Sequence, residues 1–186
     1  MTPGDVSIYT IGHSTRSLDD FTALLQRYGV ALLADVRTIP RSRHNPQFNG
    51  DTLQAALPAL GIGYRHLKEL GGLRHSRADS PNTGWRNASF RGFADYMQTP
   101  AFEAAILALI ALAQQQTVAL MCAEAVPWRC HRSLIADALV VRGIAVMDIY
   151  DLNHVKSHTL NSLAQVKDTT ILYPLENLVL QPGNGT

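Results

Sequence analysis

The chain of 186 residues has little cysteine and no long apolar run, and each absence narrows the class of protein. Two cysteines are too few for a small secreted domain held by disulfides, so we expect both thiols to be reduced. The longest apolar candidate, residues 104–113, is shorter than the roughly 18 residues that a membrane-spanning helix needs. Residues 1–6 show no signal-peptide pattern. These absences predict a cytoplasmic protein without a membrane partner, whose oligomeric state stays open.

The net charge is small as well, at +1, but it is unevenly distributed. From Arg37 to Arg91, nine basic residues accompany three acidic ones, and the remainder of the chain is acidic. Thirteen of the sixteen basic residues are arginine, whose planar guanidinium binds phosphate or carboxylate through two hydrogen bonds. The distribution indicates either an anion-binding region or a solvated face with scattered ion pairs.

Short apolar runs alternate with segments of helical periodicity along the first 150 residues. The predicted strands are 7–11, 30–36, 62–67, 117–121 and 144–149. The predicted helices are 18–28, 51–60, 89–97, 100–115 and 129–141. Ser17 and Asp51 are the predicted N-caps of the first two helices. This alternation predicts a three-layer α/β domain over residues 1–158, with a mostly parallel sheet of about five strands.

Two long loops and a tail complete the predicted organisation. The segments 38–50 and 71–88 are rich in turn-forming residues and longer than most connections, so they are candidates for functional loops. Residues 159–186 form a C-terminal extension, and its last residues, 181–186, are expected to be disordered.

Polar side chains follow the first two predicted strands. His13 and Ser14 come after the first strand, where an imidazole is either a proton carrier or a hydrogen-bonded structural group. Asp35 and Arg37 close the second strand, and because they lie two residues apart their side chains point to the same side. The two charges either neutralise each other or take part in binding a ligand.

The loop after Arg37 carries Arg41, Ser42 and Arg43. Guanidinium and hydroxyl groups at this spacing favour an anion-binding loop above the strand ends. The expected ligand is a small anion, most simply a nucleotide.

The fourth predicted strand ends at Cys122, and Glu124 follows two residues later. A thiolate at this position is stabilised by Arg129, by Arg132 and by the positive end of the following helix, which favours nucleophilic catalysis. The alternative is a small buried hydrophobic residue at a strand end. The spacing from Cys122 to Arg129 differs from that of the cysteine phosphatase loop, which is therefore excluded.

Cys130 and His131 are predicted on the sheet-facing stripe of the helix 129–141. With Cys122, and with His13 or Glu124 as a fourth donor, they also suit a zinc or iron site. The spacing matches none of the common zinc patterns, so the sequence assigns no metal ligands.

Aromatic residues are interleaved with the arginines of the basic region, which suits phosphate contacts and base stacking in a nucleic-acid-binding module. They are Phe48, Tyr64, Trp85, Phe90 and Tyr96. A thiol or metal sensor built on the two cysteines is a further alternative.

Five motifs occur in an order that resembles the family known as domain of unknown function 488. They are TIGHS at 10–14, DVRTIPRSR at 35–43 with Phe48 downstream, YRHLKELGG at 64–72, CAE at 122–124 and CHR at 130–132. The resemblance covers roughly residues 8–149. It implies one site assembled from distant segments, but it implies no activity, because none is established for the family. The histidine-proline pair of similar proteins is missing after the fifth strand, so His154 and His158 are not assigned.

Together these patterns predict an enzyme that hydrolyses a phosphate-bearing ligand or transfers a group from it. The predicted catalytic residues are His13, Asp35, Cys122, Glu124 and His131. The predicted anion- and substrate-binding residues are Ser14, Arg37, Ser42, Arg43, Tyr64, Cys130 and Arg132.

Overall fold

A computed structural model describes residues 7–175 as a six-stranded sheet with helices on both faces. The strands of this sheet are β1 (Ser7–Gly12), β2 (Leu32–Asp35), β3 (Gly63–His66), β4 (Val118–Cys122), β5 (Ala145–Ile149) and β6 (Val155–Ser157), and β7 (Gln165–Lys167) pairs with β8 (Thr170–Leu172) in a separate hairpin. The helices are α1 (Leu18–Arg27), α2 (Gly50–Ala56), α3 (Ala88–Tyr96), α4 (Pro100–Ala113) and α5 (Arg132–Val140). Residues 181–186, expected to be disordered, lie outside the described residues.

The strand order is β3-β2-β4-β1-β5-β6, and every pairing is parallel except that of β6 with β5. The predicted α/β class with a mostly parallel sheet is confirmed. The sheet has six strands instead of about five, because the weaker pattern after residue 153 contains the antiparallel edge strand β6. The order places the carboxyl ends of β2, β4 and β1 side by side, with Gly12 in register with Cys122 and Asp35 with Met121.

Two apolar clusters hold the layers together, one on each face of the sheet. On one face α1 and α2 contribute buried residues such as Phe21 and Leu53. On the other face α4 and α5 contribute Ile106 and Leu139. All five residues of β4 are buried, which explains why its sequence shows no alternation of apolar and polar residues.

Ser17 is the N-cap of α1, as predicted, and its hydroxyl oxygen accepts the Asp20 N–H at 3.0 Å. The prediction of Asp51 as the next N-cap is wrong. Asn49 occupies that position, and Asp51 lies in the first turn of α2, where a carboxylate still favours the positive end of the helix. Pro58 belongs to the short 3-10 helix that follows α2.

The predicted start of the last helix at Arg129 is also wrong, and this error concerns two site residues. Pro127–Arg129 forms a separate 3-10 turn, and Cys130 then adopts an extended conformation with φ −139° and ψ 145°. The helix α5 therefore begins only at Arg132. Cys130 and His131 precede the helix instead of lying on its sheet-facing stripe.

The described part of the C-terminal extension packs on the domain through Tyr173. This side chain is fully buried, and its hydroxyl donates to Asp137 Oδ2 at 2.8 Å. The Tyr173 N–H donates to Asn82 Oδ1 at 2.9 Å. Residues on both sides of the predicted boundary at 158 thus share one core.

Among the described residues, a single helix of the length and apolar character that a bilayer span requires does not occur. The pair α3 and α4 passes a test of combined length and composition, but the two helices are bent by 82° at their junction. In the structure α4 places Phe102, Ile106 and Leu109 in the core.

Candidate active site at the strand ends

The chain that leaves β4 passes directly over the end of β1. A Cβ atom at Gly12 would lie only 1.7 Å from the carbonyl oxygen of Glu124, so this crossing requires glycine. The His13 N–H donates to the Cys122 carbonyl at 3.0 Å, and Ser14 donates to the next carbonyl at 2.8 Å. These contacts fix the position of Cys122 at the carboxyl end of the sheet.

Cys122, Cys130 and His131 form a cluster at this point. Their donor atoms, the two Sγ and a ring nitrogen, all lie within 4.8 Å of one another. Both cysteines are free and buried, and His131 is partly buried. The cluster lies at one wall of a cleft of about 450 Å³, called the first cleft below. Thiol and imidazole groups thus meet where ligands can reach them.

Two backbone carbonyls fix the His131 ring. Its Nε2 lies 2.9 Å from the Val36 oxygen and 3.0 Å from the Leu70 oxygen. Since carbonyl oxygens only accept, Nε2 is the donor to both, and the other ring nitrogen, Nδ1, lies 3.7 Å from Cys130 Sγ. Gly72 leaves room for this ring, because a Cβ atom there would lie 2.4 Å from Nδ1.

Arg132 is buried beside the cluster, and no carboxylate within residues 7–175 pairs with it. Its side chain is 1% exposed, and within residues 7–175 its Nε and Nη1 have no hydrogen-bond partner. Nη2 donates to the Glu124 carbonyl at 3.3 Å, and the backbone N–H donates to Cys130 Sγ at 3.4 Å. Burying an unpaired guanidinium costs several kcal/mol, so a negative charge nearby stabilises this arrangement.

The thiols are the neighbouring groups that can carry such a charge. A hydrogen bond from Cys130 holds the pKa of Cys122 well below its usual range despite burial, and His131 and Arg132 lower it further. The same hydrogen bond and burial raise the pKa of Cys130. Of the two thiols, Cys122 is therefore the one whose ionisation this arrangement favours.

Asp35, Arg37 and Tyr64 form a closed group. Arg37 donates to Asp35 through Nε at 2.9 Å and through Nη2 at 2.5 Å, and Nη2 also donates to the Phe48 carbonyl at 2.7 Å. The Tyr64 hydroxyl donates to the same carboxylate at 2.8 Å, and burial together with this carboxylate raises the pKa of Tyr64. Of the two interpretations left open by the sequence, mutual neutralisation is the one that this geometry matches.

His13 is buried behind this group. Its Nδ1 donates to the Ser14 carbonyl at 2.9 Å, and its Nε2 lies 3.4 Å from Arg37 Nη1. The ring is stacked on Phe48 with centroids 4.4 Å apart, and burial lowers the pKa of His13. A neutral ring with both nitrogens occupied supports Arg37 and has no proton ready for a ligand.

The rim of the first cleft carries the remaining charges. Arg41, Glu124 and Arg129 line it together with the cluster. Glu124 and Arg129 also line a second cleft of about 570 Å³ on the other side of the 123–129 loop. The second cleft is bordered in addition by His13, Ser14, Ser42 and His44.

The predicted anion-binding loop is partly used for its own folding. Ser42 Oγ accepts the Asn45 N–H at 3.1 Å, and the Ser42 N–H donates to Asn49 at 2.9 Å. Arg43 is exposed and lines neither cleft. Among residues 7–175 the exposed guanidinium groups at the site without an ion-pair partner are Arg41 and Arg129. The sequence placed Arg41 in the anion-binding loop and Arg129 near the Cys122 thiol, but neither was among the assigned binding residues.

A second buried network also escaped the sequence-based assignment. His158 bridges two carboxylates, with Nε2 2.9 Å from Asp137 and Nδ1 3.0 Å from Asp148. Tyr173 donates to Asp137, and Thr10 donates to Asp148 at 2.6 Å. Burial alone lowers the pKa of His158, but the two carboxylates raise it to about 9. The signal for this network in the sequence was one aspartate within the apolar pattern of α5 and another within that of β5. Such an aspartate does not by itself identify its partner.

The fold and the site define a class: an α/β protein with a thiol and imidazole cluster at the carboxyl ends of parallel strands, where open α/β sheets bind their ligands. The chain belongs to the family described as domain of unknown function DUF488, whose model matches residues 17–139. The matched range includes Asp35, Tyr64 and the whole cluster, and it ends before His158. No curated protein and no solved structure matches the chain.

Proposed function

We propose that the protein is an enzyme that hydrolyses a phosphate-bearing ligand or transfers a group from it. One observation carries the proposal: Cys122, Cys130 and His131 lie beside a cleft that is bordered by Arg41 and Arg129. Reactive groups and anion-binding groups that share one cleft are the usual composition of an active site for an anionic substrate. A nucleotide or a nucleic-acid component is the simplest substrate of this kind.

Arg41 and Arg129 are the groups that bind the phosphate in this proposal. Both are exposed, and in the part of the chain that the structure describes neither forms an ion pair. Arg37 is already neutralised by Asp35, and Arg132 is buried. The phosphate therefore has two free guanidinium groups at the cleft rim, each able to form two hydrogen bonds.

Glu124 is the proposed general base. The carboxylate of Asp35 is buried and fully hydrogen-bonded, so it has no free oxygen for a proton from the substrate. Glu124 is exposed and lines both clefts. A carboxylate at the rim accepts a proton from an attacking water or hydroxyl group without a change in the core.

Two kinds of chemistry suit the cluster. In the first, the Cys122 thiolate attacks the substrate, a bond from sulfur to the electrophilic centre forms, and the leaving group departs with its electron pair and takes up a proton from solvent. Water or an acceptor hydroxyl, losing its proton to Glu124, then attacks the same centre, and the bond to sulfur breaks to restore the thiolate. In the second, the cluster holds a metal ion that activates water. Both kinds of chemistry place the reaction beside Cys122, Cys130 and His131.

Ligand binding tests the proposal. A thermal-shift panel of nucleotides, sugar phosphates and pyrophosphate identifies ligands, since any ligand that prefers the native state raises the melting temperature. Titration calorimetry with the best ligand should then show at least tenfold weaker binding in the double variant Arg41→Gln and Arg129→Gln. The control Arg86→Gln removes an exposed arginine outside both clefts and should bind like the unmodified protein. Equal affinity in all three proteins, or no phosphate ligand at all, refutes the proposal.

The nucleic-acid-binding alternative has less support in the positions of its aromatic residues. Phe48 is fully buried, and Trp85, Phe90 and Tyr96 pack against the core of one face of the sheet. The Tyr64 hydroxyl donates a hydrogen bond to Asp35. Phe90 alone of the five lines the first cleft, so the alternative depends mainly on the arginines.

A further inference from the structure

We propose that Cys122, Cys130 and His131 bind a zinc-type divalent cation whose open coordination position faces the first cleft. This inference rests on the proposed function and specifies its chemistry: the metal activates the water that attacks the phosphate-bearing substrate.

The distances between the three donors suit such an ion. Ligands of a tetrahedral zinc site with bonds of about 2.0–2.3 Å are separated by about 3.5–3.8 Å. The gap from His131 Nδ1 to Cys130 Sγ is already 3.7 Å, and all three donor atoms lie within 4.8 Å of one another. Small side-chain rotations therefore bring the three atoms to bonding distance without a change in the backbone.

The orientation of His131 is the second argument. Imidazoles that bind metals usually donate their other ring N–H to a carboxylate or a backbone carbonyl, which fixes the ring and the tautomer. His131 does so twice, to Val36 and to Leu70. Its other nitrogen, Nδ1, is thereby turned toward the sulfurs, and Phe93 packs against the ring with centroids 5.0 Å apart. Gly72 leaves the space that Nδ1 needs.

Charge and second-shell contacts are the third argument. A divalent cation binds both sulfurs as thiolates, and the buried Arg132 guanidinium favours two negative sulfurs beside it. The Arg132 N–H also donates to Cys130 Sγ at 3.4 Å, a contact of the kind that orients metal ligands. Two sulfurs and one nitrogen select zinc-type ions over magnesium or calcium, which prefer oxygen ligands.

The number of protein ligands indicates a catalytic metal site instead of a structural one. Structural zinc sites have four protein ligands, whereas catalytic sites have three and keep one position for water. Among residues 7–175 the cluster contains three candidate ligands, and the adjoining cleft carries Glu124 on its rim.

The hydrolytic step balances with these groups. The metal-bound water loses one proton to Glu124, and its oxygen forms a bond to the substrate phosphorus. The bond from phosphorus to the leaving oxygen breaks, that oxygen keeps the electron pair, and it receives the proton that Glu124 took up.

Cobalt substitution tests the site without any substrate. Reduced, metal-free full-length protein is titrated with Co²⁺ under anaerobic conditions, and the absorption spectrum is recorded. We expect one Co²⁺ per chain, thiolate-to-cobalt charge-transfer bands in the near ultraviolet and the intense visible bands of tetrahedral cobalt. Cys122→Ser and Cys130→Ser should each bind at least tenfold more weakly, and the control His75→Gln, an exposed histidine outside the first cleft, should bind normally.

A second measurement covers the case in which the cysteine variants do not fold. In the unmodified protein, one equivalent of Zn²⁺ should slow alkylation of both thiols by iodoacetamide at least tenfold, as read by intact mass. Weak octahedral cobalt spectra, sulfur bands of undiminished intensity in both cysteine variants, or thiols that zinc does not protect each overturn the metal site. If phosphate binding still depends on Arg41 and Arg129, the proposed function then stands with Cys122 as nucleophile. If cobalt binds and no phosphate ligand does, the metal site stands and the proposed function fails.

Discussion

Arg37 and Arg132 are both buried near the strand ends, but in the described part of the chain only Arg37 has a carboxylate partner. Arg37 forms two hydrogen bonds with Asp35 and a third with a backbone carbonyl. Arg132 forms a single long side-chain bond to a carbonyl. A closed ion pair stabilises the fold and leaves nothing for a ligand, whereas an open guanidinium lowers the pKa of groups beside it.

Two partly buried histidines, His131 and His158, show the same contrast. His158 uses both ring nitrogens to bridge two carboxylates, and His131 uses one nitrogen and leaves the other beside two sulfurs. We infer that the closed groups around Arg37 and His158 maintain the fold, and that the open group around Arg132 and His131 does the chemistry. Four substitutions test this contrast.

The largest effect is expected for Arg37→Met. Removing Arg37 leaves the Asp35 carboxylate buried without its counter-charge, which costs about 3–5 kcal/mol of unfolding free energy. Urea denaturation followed by circular dichroism measures the loss. A loss below about 1 kcal/mol contradicts a closed, stabilising ion pair.

The second effect is the pH dependence that His158 contributes. Because its carboxylate partners raise the pKa of His158 from 6.5 to about 9, its contribution to stability is complete below about pH 6.5 and is lost as the pH rises through 9. Unfolding free energies at pH 6, 7.5 and 9 should therefore decline more steeply in the unmodified protein than in His158→Gln. Parallel pH profiles of the two proteins disprove this assignment.

The third substitution, Gly72→Ala, places a methyl group against the His131 ring. The new Cβ would lie 2.4 Å from Nδ1, so the ring must move, at a cost of about 1–3 kcal/mol for overpacking. We expect this modest loss together with a large loss of Co²⁺ affinity. Gly61→Ala is the control for cobalt binding: its φ of +73° makes an alanine there cost stability as well, but nothing lies within 4 Å of the added Cβ, so Co²⁺ affinity should be unchanged. Unchanged cobalt binding in Gly72→Ala argues against the role of Nδ1.

The smallest effect on stability is expected for Arg132→Met. The unfolding free energy should fall by at most about 2 kcal/mol, because no carboxylate loses its partner. The pKa of Cys122 should rise, since the guanidinium that lowers it is gone. The midpoint of the pH profile of iodoacetamide modification, measured on metal-free protein, should move to higher pH. A loss as large as that of Arg37→Met, or an unmoved midpoint, contradicts the contrast between the two arginines.

The sheet was predictable from sequence because its strands are buried on both faces and read as short apolar runs. The start of α5 was not, because periodicity continues through Cys130 although Pro127 begins a separate turn and Cys130 is extended. The edge strand β6 has two exposed residues and no apolar pattern. Burial can thus be predicted from the pattern of apolar residues, whereas the local backbone conformation of a turn or an edge strand is much harder to predict from sequence.

The members of the site were mostly predictable, but their roles were not. The motifs around Cys122 and Cys130 indicate that these residues meet. The orientation of His131 depends on carbonyls of Val36 and Leu70, which any residue type supplies. The pairing of Asp35 with Arg37 was one of two open interpretations, because spacing alone does not decide whether two charges bind each other or a ligand.

Alkylation of metal-free protein by iodoacetate, compared with neutral iodoacetamide, tests the central claim most directly. If a reactive thiolate lies beside an anion-binding rim, Cys122 should prefer the anionic reagent more strongly than free cysteine does. The double variant Arg41→Gln and Arg129→Gln should lose that preference, and Arg86→Gln should keep it. No preference for iodoacetate, or a preference that survives in the double variant, contradicts an active site that combines these thiols with these arginines.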